Sequence, residues 1–207
     1  MKPNDIFEKA LGKVNEAYLN QNRLKWGVSV CATPIQIGKG MILGINWGGG
    51  GISDENSYES QLSMPTIPKF QDDLQRGGYK FLQRSKKYLE NYLKIKVASG
   101  EFNYTNLCLF RSPQQKYLRI EDYEACFETF KFLVEEIAPP WIISLGTTNI
   151  EKIEALESTF TYKLESFGRA SGYKGICLNT TFYCLPHPNF PLYNTDRDGI
   201  WNDIFSN

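Results

Sequence analysis

The sequence predicts an α/β protein, a three-layer α/β/α sandwich with a central four-stranded parallel sheet, formed by residues 1–207 as one domain. Two observations carry that prediction. Four short apolar runs, Gly40 to Asn46, Tyr104 to Phe110, Trp141 to Gly146 and Thr180 to Leu185, alternate with segments of helical periodicity. That is the pattern of parallel strands covered by helices on both faces. Polar side chains suited to a ligand, Asn46, Asn106 and His187, also fall in or just after three of those runs. Open α/β sheets gather their binding groups at the carboxyl ends of the strands.

The chain begins with a helix from about Asn4 to Leu24, in which Ile6, Phe7, Ala10, Leu11, Val14, Ala17 and Tyr18 recur at helical spacing and Asn4 is the expected cap. Trp26 to Ile37 mixes β-branched residues with Pro34 and reads as an extended approach to the first strand. The first strand runs into MILGINWGGGG, Met41 to Gly51. A buried strand followed by a glycine-rich turn presents backbone amides and one polar side chain, here Asn46, to a ligand. The loop from Trp47 to Pro68 contains Tyr58, Met64 and Ile67 and is expected to fold over the site.

A basic helix or helix pair follows from Lys69 to Lys94, broken at Gly77-Gly78, with Phe81, Leu82, Tyr88, Leu89, Tyr92 and Leu93 as its buried stripe. The second strand, Tyr104 to Phe110, lies between Gly100 and Ser112-Pro113 and has Asn106 inside it. Glu121 to Ile137 is helical by the spacing of Tyr123, Cys126, Phe127, Phe130, Leu133 and Val134, and Pro139-Pro140 stop it. After the third strand come a short helix near Asn149 to Phe160 and an irregular stretch around Gly168 to Gly175. The fourth strand then runs into Pro186-His187-Pro188.

Composition narrows the function classes. With 23 basic and 23 acidic residues the chain is formally neutral, which argues against non-specific coating of nucleic acid or of acidic membranes. Locally the charge is uneven: Asp72 to Lys96 holds seven basic against three acidic residues, and Glu121 to Glu165 holds ten acidic against three basic. Such asymmetry marks one face able to meet phosphate and one that avoids it, and also arises on ordinary solvated helices. Five cysteines without a C-x-x-C pair read as reduced, buried thiols rather than metal ligands. No run approaches the ~20 apolar residues of a membrane span, and no signal-peptide core precedes Lys25. The expectation is a cytoplasmic monomer with no metal, no cofactor and no membrane partner.

Three motifs then stand in order at predicted strand ends: GINWGGG (Gly44 to Gly50), TNLCLFRSP (Thr105 to Pro113) and HPNFPL (His187 to Leu192). Together they resemble the motifs of the uracil-DNA glycosylase superfamily, closest to the GxNPG form of its mismatch-specific and single-strand-selective branches. Trp47 replaces the motif's proline, and Asn189 and Phe190 replace the serine-proline pair of HPSPL, with one insertion before Leu192.

The resemblance implies a DNA partner, uracil-containing and single- or double-stranded, and hydrolysis of an N-glycosidic bond. Breaking that bond puts positive charge on the sugar and negative charge on the departing base. Asn46 would orient the attacking water, and His187 would donate a hydrogen bond to the leaving base. Asn106, which offers both a donor and an acceptor, would read the base edge. Gly44, Ile45, Trp47 and Gly48 would line the base pocket, with Tyr58 as the stacking aromatic and Phe70 as its alternative. Ser112, Phe190 and Leu192 would touch DNA, one of the last two serving as the wedge in the vacated stack. Asp196 and Asp198 are expected to repel phosphate. The competing class is a non-catalytic binder of nucleotides or single-stranded DNA on the same fold. An unrelated hydrolase ranks last, since G-x-S-x-G, a Walker lysine and a second histidine are lacking.

Overall fold

The structure, a computed structural model, describes residues 1–44, 47–48, 60–69, 80–146, 159–167 and 170–206. Strands are β1 (Met41–Gly44), β2 (Trp47–Gly48), β3 (Asn103–Asn106), β4 (Arg111–Ser112), β5 (Trp141–Leu145), β6 (Thr159–Phe167), β7 (Ala170–Cys177) and β8 (Thr180–Leu185). Among the described residues the α-helices are α1 (Pro3–Leu19), α2 (Lys80–Tyr92), α3 (Ile120–Ile137) and α4 (Asn194–Ser206). None is long and apolar enough to cross a membrane.

The main sheet has six strands in the order β3-β1-β5-β8-β7-β6. β3, β1, β5 and β8 are mutually parallel and correspond to the four expected strands, but β7 and β6 extend the sheet antiparallel. The sheet is therefore mixed and mostly parallel rather than four-stranded. The stretch around Gly168 to Gly175, expected to be irregular, lies largely in β7, and Phe160, the expected end of a short helix, lies in β6. Residues 147–158 are outside the described residues. β7 reaches β8 through a two-residue turn, Leu178-Asn179, with φ of 48° and 62° at its two residues. Positive φ at both central residues is the geometry that matches hairpin twist. Gly172 is needed for packing: a Cβ there would come within 3.0 Å of Ile204 on α4.

The apolar core divides into two clusters, one on each face of the sheet. Met41, Leu43, Ile142, Phe182 and Cys184 point to the face covered by α1 and α3, while Ile42, Ile143, Leu145 and Leu185 point to the face covered by α2 and α4. The alternation along each strand is the period-two geometry of a sheet buried on both sides. α2 and α4 are joined by stacked rings: Trp201 lies 5.0 Å from Tyr88, and Phe205 lies 5.1 Å from Tyr92 and 4.5 Å from Tyr183.

The helix starts are set by carboxylates. Pro3 occupies the first turn of α1 and the Lys2 N–H donates to Asp5, so Asn4 stands inside the helix rather than capping it. On α3, buried Asp122 accepts the Arg119 N–H at 2.7 Å and pairs with Arg23, whose guanidinium also donates to the Tyr117 carbonyl at 2.5 Å.

The outer edge of β3 is covered by the extended segment after α1. Ser29 N–H donates to Leu109 O and Ala32 N–H to Tyr104 O, each at 2.9 Å, and the Thr105 hydroxyl donates to Val30 O at 2.6 Å. An open strand edge is thereby closed. Gln61 holds this segment in turn: its side-chain oxygen accepts from Val30 N–H at 2.8 Å and its amide donates to Cys31 O at 3.1 Å.

Candidate active site

Registers across the four parallel strands bring their carboxyl ends to one edge: Gly44 faces Asn106, Leu43 faces Ser144, and Leu145 faces Leu185. Asn106 is the last residue of its strand, not an interior one as expected. Beyond it Leu107 still donates to Gly44 O at 3.4 Å, but the chain then turns away so that Phe110 bridges Val28. Leu107, Cys108, Leu109 and Phe110 are apolar because they enter the α1/α3 core, not because the strand continues.

Asn106 is only 1% exposed, and its Oδ1 has no hydrogen-bond partner among the described residues. A dry, unpaired acceptor costs about 1–3 kcal/mol, which a ligand N–H would recover. Its side chain passes directly over Gly44, where a Cβ would stand 2.1 Å from Oδ1 and 3.0 Å from the Tyr104 hydroxyl oxygen. Glycine at the start of GINW is thus required by the asparagine of the neighbouring strand. Tyr104 belongs to the α2/α4 cluster, so Asn106, two residues on, points to that same face.

His187 follows β8 between buried Pro186 and Pro188. A tight turn fixes it: Phe190 N–H donates to His187 O at 2.8 Å, and Asn189 N–H donates to Nδ1 at 3.1 Å. Burial lowers the imidazole pKa below its ordinary value, with further lowering by Arg197 and Arg84. The ring is therefore neutral at neutral pH with its proton on Nε2, since Nδ1 is accepting. A neutral N–H donor at a strand end can stabilise negative charge developing on a leaving group. Between β3 and β8 lie three strand spacings, about 14 Å.

The remaining expected residues distribute as follows. Ile45, Asn46, Tyr58 and Phe70 are outside the described residues. Trp47 and Gly48 form β2, paired in parallel with Arg111 and Ser112 of β4, which joins the first motif to the end of the second. Ser112 is fully buried with its hydroxyl donating to Gln114 O at 3.0 Å, so it faces the interior and not a DNA backbone. Phe190 is exposed, whereas Leu192 packs against the α2/α4 cluster. Asp198 accepts from Lys87 at 2.9 Å and from Tyr88 at 2.6 Å, and these hydrogen bonds, that from Tyr88 first, hold its carboxyl below the usual range. Its charge is answered within the protein, which weakens the expected repulsion of phosphate.

Two residues beside His187 are Arg84, which the sequence places only within a basic segment able to meet phosphate, and Arg197, which sequence reading overlooked. Arg84 donates to Asn189 Oδ1 at 2.7 Å and Arg197 donates to Phe190 O at 2.9 Å. The available signal was the excess of basic residues in the segment that contains α2. A thiol nucleophile is not a competing chemistry: all five cysteines are free and buried, and burial pushes Cys31 and Cys184 up to about 12 and Cys177 to about 11. The chain matches no known family profile and no curated protein.

Proposed function

We propose that this chain is a DNA glycosylase of the uracil-removing kind on a three-layer α/β/α fold of the uracil-DNA glycosylase superfamily. The observation that carries the reading is the buried, unpartnered Asn106 Oδ1 at the sheet edge that also bears His187. Uracil presents an N–H flanked by carbonyls, which suits an asparagine amide, whereas cytosine reverses part of that pattern. Nε2–H of His187 supplies the donor toward a base carbonyl as negative charge builds there. Asn46 orients water on the sugar side, where a cationic centre needs little proton abstraction. Phe190, exposed on the turn that carries His187, is the wedge in preference to Leu192.

A second reading, a nucleotide or single-strand binder without chemistry, is favoured by one observation. Asn189, which departs from the motif, is engaged both with Arg84 and with His187 Nδ1. The experiment is a gel assay of strand scission after base release from uracil-containing oligonucleotides, single- and double-stranded. Release from either substrate is the expected result. Binding without release from any of them selects the second reading.

A further inference from the structure

Beside the His187 turn lies a cleft of about 620 Å³ between α2, the 188–192 loop and the start of α4. Arg84, Lys87 and Arg197 line it, and among the described residues no carboxylate does. Lys87 pairs with Asp198, whose carboxylate also acts on Arg197 through space, but neither Arg84 nor Arg197 forms a salt bridge among the described residues. Both are held by neutral acceptors of one loop, Asn189 Oδ1 and the Phe190 carbonyl, so their positions are fixed without a salt bridge. Two like charges facing one cleft repel each other, and each depresses the protonation of His187. An anion between them relieves that repulsion, and the planar guanidinium fork matches a phosphate's oxygens.

The chain between Leu192 and Asn194, both on the cleft wall, carries Tyr193, whose side chain is 82% exposed. Tyr193 does not itself line the cleft, but an exposed ring one residue from its wall offers a face for an unpaired base while the cations hold the phosphate. A stacked duplex offers no free base face to it.

We propose that Arg84 and Arg197 clamp one phosphodiester of single-stranded DNA and that Tyr193 stacks on the adjoining unpaired base. The choice of DNA rests on the glycosylase reading; the clamp rests on the cleft itself. Bound there, a strand passes directly beside His187, which sets the register for the nucleotide entering the Asn106 edge.

The test is fluorescence anisotropy of the full chain with a labelled deoxyadenosine strand that contains no uracil, alone, paired with its complement, and as the ribonucleotide strand. The Arg84→Gln/Arg197→Gln variant should bind the single strand at least tenfold more weakly. It should also flatten the salt dependence by about 0.7 in logarithmic slope for the lost phosphate contact. Tyr193→Ala should cost about fivefold or more on the single strand and little on the duplex. Lys13→Gln, on the opposite face, should change neither. Single-strand affinity of the double variant within twofold of the parent, or an unchanged salt slope, overturns the clamp. An equal loss on duplex and single strand for Tyr193→Ala overturns the stacking role, and tighter binding of the ribonucleotide strand overturns the assignment to DNA. Because the probe carries no uracil, absence of base release leaves these outcomes untouched, and base release without them would leave the glycosylase reading standing alone.

Discussion

The two faces of the sheet are built for different work. On the α1/α3 side the helices bury aliphatic and aromatic side chains, and α3 is acidic on its solvent side, with Glu121, Glu124, Glu128, Glu135 and Glu136 against Lys131 alone. Its one buried charge, Asp122, is consumed by a helix start and by Arg23. On the α2/α4 side the helices are held by stacked rings, and α2 is basic, with Lys80, Arg84, Lys86 and Lys87 against Glu90. That face also receives the Asn106 side chain, whose Oδ1 has no partner among the described residues, and adjoins the two arginines at the His187 turn. Every polar group on the first face is answered internally among those named, while the second keeps an acceptor without a partner among the described residues and two arginines held by neutral oxygens. On the proposed reading, the first side serves stability and the second the ligand.

Substitutions should divide along the same line. The largest effect is expected at His187, where removal of a donor aimed at developing charge typically costs ~10²–10³ in rate. His187→Ala should slow single-turnover base release by that much with DNA affinity within a few-fold, and an equal loss in affinity would place the histidine in ground-state binding instead. On the opposite face, Asp122→Ala removes a carboxylate that caps α3 and pairs with Arg23. It should destabilise the chain by about 2–4 kcal/mol in urea titration and leave oligonucleotide affinity unchanged.

A third outcome links the cations to the histidine. His187 is the only histidine in the chain, so its imidazole gives one unambiguous NMR titration. It should protonate below its ordinary value, and Arg197→Gln should move the midpoint upward by removing a neighbouring charge. Since the folded state disfavours the proton, this group's contribution to stability is complete above the unfolded midpoint. It is lost as pH falls from there through the depressed folded value. A smaller effect belongs to the α1/α3 side: Ala138 ends α3 at φ 47°, a conformation that suits glycine. Ala138→Gly should stabilise the chain by about 0.5–1 kcal/mol, read as a raised melting temperature without change in DNA affinity.

Legibility in the sequence followed the same physics. The parallel strands were readable because strands buried on both faces are continuous apolar runs, and β8 begins and ends where its run does. The β6-β7 hairpin was not. Its glycines read as loop when Gly172 in fact makes room for Ile204, and Leu178-Asn179 lacks the glycine that usually marks such a turn. Helix α4 was hidden by Asn194, Asp196, Asp198 and Gly199, poor helix formers that are overridden by the packing of Trp201 and Phe205. At the site, Asn106 and His187 could be found because polar residues at strand ends stand out against apolar runs. Arg84 and Arg197 could not be paired from sequence, since only the docking of α2 beside α4 brings residues so distant in the chain to one loop. The reason for Gly44 was equally invisible, because it lies in a side chain of the neighbouring strand.

The central claim is that Asn106, at the sheet edge and with an Oδ1 that has no partner among the described residues, reads the base. Its most direct test compares single-turnover base release from uracil- and cytosine-containing strands by the parent and by Asn106→Asp, with folding checked by circular dichroism. The account predicts that the parent releases uracil and spares cytosine, and that the aspartate, an acceptor without the amide donor, shifts that preference toward cytosine. A folded Asn106→Asp variant that retains the parent's rate and preference for uracil would contradict it.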